Sequence, residues 1–184
     1  MTQSPSSLSV QNHNGKNEME DHKTIFVGGP IQHASESGGR FDRCLKRLVL
    51  QVVGTLEKAG FRVLSAHVAE DFGNLPLVNS AELVVRDYGW MQLCDVYIAL
   101  FIKNSSQKYI RSDGTHVEIG WASAMHKPII VLGDDIPSEQ NSHLIRGLGA
   151  ISPVQFVPID DIERDPNVLV TIVRNALETQ TPQE

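Results

Sequence analysis

Five short apolar runs, separated by polar segments and stretches of helical spacing, constrain this chain more than any other feature. They occupy residues 24–28 (TIFVG), 61–66 (FRVLSA), 95–101 (DVYIALF), 128–132 (PIIVL) and 154–157 (VQFV). The third is almost continuously apolar, as a strand must be when both faces of its sheet are covered. After the first run, Phe41, Leu45, Leu48, Val49, Val52, Val53 and Leu56 recur at helical spacing, and Gly60 follows as a stop. Residues 80–93 read as a second helix with Ser80 as its cap, and 115–125 as a third. In a last helix over 166–177, Val168, Ile172, Val173, Ala176 and Leu177 form one stripe. Alternation at this spacing predicts an α/β domain built on a mostly parallel, five-stranded sheet with flanking helices.

Residues 1–22 are rich in Ser, Gln and Asn and poor in large apolar side chains. Such a segment buries too little surface to offset its ordering entropy, so it reads as a disordered tail. Residues 179–184 read the same way, leaving one domain over 23–178. The 41% apolar and 21% charged residues are ordinary for a soluble globular protein. A net charge of -6 counts against nucleic acid or an anionic membrane as partner, though an acidic protein can still hold a locally positive pocket. Cys44 and Cys94 stand far apart, which suits a reducing compartment and offers neither a disulfide framework nor a zinc site. No basic segment followed by an apolar run opens the chain, so no signal peptide and a cytoplasmic location are expected. The longest apolar run is far too short to span a bilayer.

Ligands of open α/β sheets sit at the carboxyl ends of the strands. The turn Gly28-Gly29-Pro30-Ile31-Gln32 follows the first strand there. Its glycines let a ligand approach the backbone, or simply make a tight turn; both readings stand. In Ser112-Asp113-Gly114-Thr115-His116-Val117-Glu118, Ser112 and Gly114 precede a helix whose first amides can bind phosphate. Thr115 with Glu118 also fits a capping box, which is the default reading of that glutamate. A helix start at a strand's carboxyl end is nevertheless where a nucleophilic carboxylate is wanted. Asp87 beside Arg86 reads by default as a surface ion pair, and His67 after the second strand as a structural histidine. Trp90 and Trp121 read as core or pocket-wall aromatics. His116, near Glu118, is a candidate base, and the histidines show no metal-ligand spacing.

The combination is more informative than its parts. Ile25-Phe26-Val27-Gly28-Gly29-Pro30, Ser65-Ala66-His67, Arg86-Asp87, Cys94-Asp95-Val96, Gly114-Thr115-His116-Val117-Glu118-Ile119-Gly120-Trp121-Ala122 and Lys127-Pro128, in that order, resemble the nucleoside 2-deoxyribosyltransferase family. The Glu118 block is most similar to the nucleoside 5′-monophosphate hydrolases: the CMP N-glycosidases of nucleoside-antibiotic pathways and the deoxynucleotide N-hydrolases. The resemblance implies a doubly wound, flavodoxin-like (Rossmann-like) domain in a homodimer or larger assembly, acting without metal or organic cofactor. It implies hydrolysis of the N-glycosidic bond of a nucleotide to free base and (deoxy)ribose 5-phosphate. Glu118 would be the nucleophile, and Asp87 would bind the sugar and orient Glu118. Ser112 and Gly114 would hold the 5′-phosphate, and Ser142, in Ser142-His143-Leu144-Ile145-Arg146-Gly147, would be lent to the neighbouring subunit's site. Gly28, Gly29, Pro30, Ile31 and His67 would complete the substrate pocket. The CMP hydrolases carry Phe-Arg after Gly-Gly-Pro, where this chain has Ile31-Gln32. Arg40 can supply the missing positive charge, or stand as a solvated loop residue. Residues 104–111 form a longer loop than the connection requires and can reshape the entrance over the base. Base transfer between nucleosides is the alternative activity, and a non-catalytic nucleotide-binding module is the third.

Overall fold

The computed structural model describes residues 22–34, 40–74, 79–104, 106–135, 139 and 141–179. Of the expected tails, 1–22 and 179–184, only His22 and Thr179 are among them. Five strands form one parallel sheet: β1 (Thr24–Gly28), β2 (Arg62–Ser65), β3 (Val96–Phe101), β4 (Ile129–Gly133) and β5 (Val154–Val157). Their spatial order is β2-β1-β3-β4-β5, the flavodoxin-like doubly wound arrangement. The chain winds outward from β1 to β2, returns past β1 to β3, and winds the other way. The crevice of this sheet therefore opens at the carboxyl ends of β1 and β3.

Alternation along the buried strands sorts the helices into two layers. Ile25, Val27, Val96, Ile98, Leu100, Ile130 and Leu132 pack against α1 (Arg43–Lys58), α6 (Ile159–Arg164) and α7 (Asn167–Glu178). Phe26, Tyr97, Ala99, Phe101, Ile129 and Val131 point the other way, to α3 (Ser80–Leu93), α4 (Asp113–Ala124) and α5 (His143–Arg146). A one-residue slip of β3 would exchange these sets, so burial on both faces fixes the register. The short α2 (Ala66–Ala69) follows β2 directly.

Capping explains where the helices begin. Asp42 accepts the Leu45 amide at 2.8 Å, so α1 starts at Arg43 and Phe41 packs from outside it. Gly60 adopts φ +92° just past the α1 C-cap, the left-handed geometry that a stop glycine supplies. The cap of α3 is Asn79, whose side chain accepts the Ala81 amide at 3.0 Å, and not the expected Ser80. Two of the shared motifs do structural work. Asp95 accepts the Thr24 amide at 2.7 Å and pins the start of β1 to β3. Lys127 reaches the Gln92 and Cys94 carbonyls at 3.1 and 2.7 Å, satisfying acceptors that the end of α3 leaves open. Among the described residues no helix is long and apolar enough to cross a membrane.

Candidate active site

The start of α4 decides what Glu118 is free to do. The helix begins at Asp113, and its cap is Ser112, whose Oγ accepts the Thr115 amide at 3.4 Å and also bonds the Thr115 hydroxyl. The capping-box reading of Thr115 with Glu118 is thereby corrected. With Ser112 at the cap, Glu118 lies past the first turn and cannot reach back to the cap amide. Its side chain turns toward the sheet instead and is 8% exposed.

There it meets Tyr97, which the sequence reading did not single out. The Tyr97 hydroxyl donates to Glu118 Oε2 at 2.5 Å, and Tyr97 is fully buried. Position 97 shares its sheet face with Ala99 and Phe101, and it carries the one hydroxyl in the VYIALF run. That lone polar atom on a buried, α4-facing position was the available signal. Gly28 lies against the pair: a Cβ there would overlap Glu118 Oε2 and stand 2.5 Å from the Tyr97 hydroxyl. The glycine at the end of β1 is thus required by the close approach of these two side chains.

Burial raises the Glu118 carboxyl to about 7 from its ordinary 4.5; the Tyr97 hydrogen bond and Arg86 oppose the rise, while Asp87 and Glu70 add to it. Burial, with the Glu118 charge and hydrogen bond added, pushes the Tyr97 phenol well above 10, so it remains a neutral donor. Glu118 is thus a carboxyl close to half ionised near neutrality, held by one fixed donor.

The surrounding pocket encloses about 170 Å³. Gly29, Ile31, Asp87, Ser112, Gly114 and Glu118, all candidates from the sequence, line it together with Glu70 and Arg111. Asp87 does form the expected ion pair with Arg86, whose Nε donates to it at 2.8 Å, but it lines the pocket instead of standing on the open surface. Arg86 also reaches Glu70 at 2.6 Å and lies over Trp90, 4.6 Å from the ring centroid. At the mouth, Arg111 pairs with Asp113 at 2.7 and 2.9 Å. Ser112, Asp113, Gly114 and Thr115 at the start of α4 line the same space, and helix starts are where anions are received.

Other candidates stand apart. His67 is fully buried beneath the turn, with Nε2 3.2 Å from the Pro30 carbonyl, and a Cβ at Gly29 would meet its ring at 3.0 Å. Burial lowers its pKa to about 4, so it is a neutral prop for Gly29 and Pro30. Pro30 is itself buried, and Arg40 is exposed outside the pocket. His116 faces away from Glu118, with Nδ1 2.6 Å from the Ser112 carbonyl and its ring on Phe101, so it is not placed as a base for that carboxyl. Ser142 caps α5 and lines a different, largely apolar groove between α4 and α5. Lys103 and Tyr109 form an isolated antiparallel bridge, and Lys103 pairs with Asp135 at 2.5 Å. Trp90 meets Phe26 edge-on and Trp121 meets Tyr88. No cluster of three or more His, Cys, Asp or Glu able to hold a metal occurs among the described residues.

The pocket is a carboxylate site at the sheet's crevice. No curated protein matches the chain. The solved structure of Clostridium botulinum CMP N-glycosidase, BcmB, is 26% identical over 74% of this chain and 88% of that one, with a TM-score of 0.51. The solution structure of BlsM is 29% identical over 88% of this chain and 96% of that one, with a TM-score of 0.69. A family model, Nucleoside 2-deoxyribosyltransferase, matches residues 37–149, well over half of the chain. The protein belongs to the nucleoside 2-deoxyribosyltransferase family.

Proposed function

We propose that the protein hydrolyses the N-glycosidic bond of a nucleoside 5′-monophosphate, with Glu118 as nucleophile. The observation that carries this reading is the buried Glu118–Tyr97 pair, set beside Asp87 in a pocket that opens onto the start of α4. The ionised Glu118 attacks the anomeric carbon as the bond to the base breaks, and the base leaves with the electron pair and takes up a proton. A glycosyl ester remains on the enzyme. Water then adds to the anomeric carbon, the ester opens, and one proton is returned, so the cycle balances. Tyr97 holds the attacking oxygen in place, and Asp87 lies where it can accept from a sugar hydroxyl. Ser112, Gly114 and the α4 amides receive the 5′-phosphate. The likeness to BcmB, whose name specifies CMP, makes CMP the first substrate to try.

Incubation with ribo- and deoxyribonucleoside 5′-monophosphates, with free base read by chromatography, tests the reading. Base from monophosphates and none from the matching nucleosides is the expected result. Base exchange between deoxynucleosides would replace it with transfer, the reaction in the family's name. Silence in both assays would leave a nucleotide-binding module. Tyr97→Phe should lower kcat roughly 10- to 100-fold with little change in KM, the worth of one hydrogen bond to a charged group.

We also propose that the chain works as a homodimer in which Ser142 serves the neighbouring phosphate site. Ser142 stands outside its own Glu118 pocket. It borders the α4–α5 groove of about 710 Å³, where Leu144 and Ile151 are 83% and 69% exposed. Knob and groove on one surface suit a two-fold, isologous contact. Leu144→Asp should give a monomer by light scattering and lose hydrolysis while keeping its circular dichroism; a dimer of unchanged activity would refute this arrangement.

A further inference from the structure

Three carboxyl groups crowd one wall of the pocket, yet only two of them share a cation. Asp87 and Glu70 both receive hydrogen bonds from the Arg86 guanidinium, at 2.8 and 2.6 Å, while Glu118 is held by Tyr97. Resting on the function proposed above, we infer that Arg86 is a positioning residue that locks Asp87 and Glu70 into one ion-paired unit and leaves Glu118 as the carboxylate free to attack.

The fork geometry suits this role. Arg86 spends Nε on one carboxylate and a terminal nitrogen on the other, and its side chain is about one-quarter exposed. One face of the guanidinium lies over Trp90, which packs edge-on against Phe26, itself beside Tyr97. The cation is therefore indexed to the same strands that hold the nucleophile's donor. Burial disfavours the Arg86 charge, and the bonds to Asp87 and Glu70 more than offset it, so it stays charged. The groups facing Glu118 are Tyr97 from β3, Arg86 and Asp87 from α3, and Glu70 after α2, with His33, Arg111 and Asp113 nearer the mouth. Without Arg86, two uncompensated negative charges would face Glu118 and oppose its ionisation. A lysine would keep the charge but cannot present two donors in a fixed fork.

The test measures kcat and kcat/KM against pH for the wild type, Arg86→Met, Arg86→Lys and Glu70→Gln. In parallel, the Glu118 carboxyl is titrated by carbon-13 NMR in each free protein, its signal assigned by loss in Glu118→Gln. In Arg86→Met both the acidic limb and the NMR midpoint should move up by roughly one pH unit, about a tenfold loss of activity below the limb. Arg86→Lys should restore most of the midpoint while kcat stays several-fold low, because Asp87 is no longer oriented. Glu70→Gln, which removes one negative charge, should move the midpoint down and covers the case in which Arg86→Met fails to fold. Unchanged midpoints in the variants, with only thermal stability altered, would overturn the inference and leave Arg86 a structural brace. If the wild type hydrolyses no nucleotide, the function reading fails on its own. The NMR midpoints still decide whether Arg86 sets the ionisation of Glu118.

Discussion

Replacing Glu118 by Gln should abolish turnover and, in alkaline solution, make the protein more stable. The kinetic half follows from the proposed role: without a carboxylate no glycosyl ester forms, and kcat should fall on the order of 10⁴-fold or more, with nucleotide binding largely kept. The stability half follows from burial. The fold raises the Glu118 carboxyl from 4.5 to about 7, so it favours the protonated form. That contribution is complete below pH 4.5, is lost as pH rises toward 7, and stays lost above. The full difference amounts to about 3 kcal/mol as an order of magnitude. An amide is neutral throughout and can still accept from Tyr97. Glu118→Gln should therefore melt on the order of 5–10 °C above the wild type at pH 9, with the advantage gone near pH 4.5. Melting curves taken across that range decide it. Parallel curves for the two proteins would mean that Glu118 is not the destabilising acid.

Gly28→Ala should be nearly as damaging to activity for a reason of volume alone. The new methyl would overlap Glu118 Oε2 and stand 2.5 Å from the Tyr97 hydroxyl, and both side chains are buried. Either the carboxyl or the phenol must move, breaking the hydrogen bond that aims the proposed nucleophile. A loss of roughly 10²- to 10³-fold in kcat is expected, with overpacking costing about 1–3 kcal/mol of stability. Gly54→Ala is the matched control: it lies inside α1 with nothing within 4 Å of the added carbon. There the alanine should stabilise by about 0.5–1 kcal/mol and leave kcat alone. Combining Gly28→Ala with Tyr97→Phe should cost less than the sum of the two, because removing the hydroxyl makes room for the methyl. Strict additivity would show that the methyl is accommodated elsewhere.

Much of this architecture is legible in the sequence because parallel strands buried on both faces leave continuous apolar runs. β1 and β5 coincide with their runs, and the other three strands fall within a residue of theirs. The short helices were not legible: α2, α5 and α6 span four to six residues, too few to show a period. Local chemistry also left the start of α4 ambiguous, since Ser112 and Thr115 are both competent caps and only tertiary placement chooses Ser112. The Glu118 block was readable, whereas its partner Tyr97 was concealed in an apolar strand. Glu70, placed by α2 and joined to Asp87 through Arg86, was likewise out of view. What a sequence records poorly is a pair made across elements, here one residue from a strand and one from a helix.

Every residue lining the carboxylate pocket lies between Gly29 and Glu118, with Tyr97 and Gly28 behind it. The last third of the chain contributes two strands, three helices and the exposed groove bearing Ser142, Leu144 and Ile151. The groove is not that last third's alone: His116, Ile119 and Gly120 of α4 line it too, and α4 also carries Glu118. A contact made on the groove would therefore bear directly on the helix that positions the proposed nucleophile.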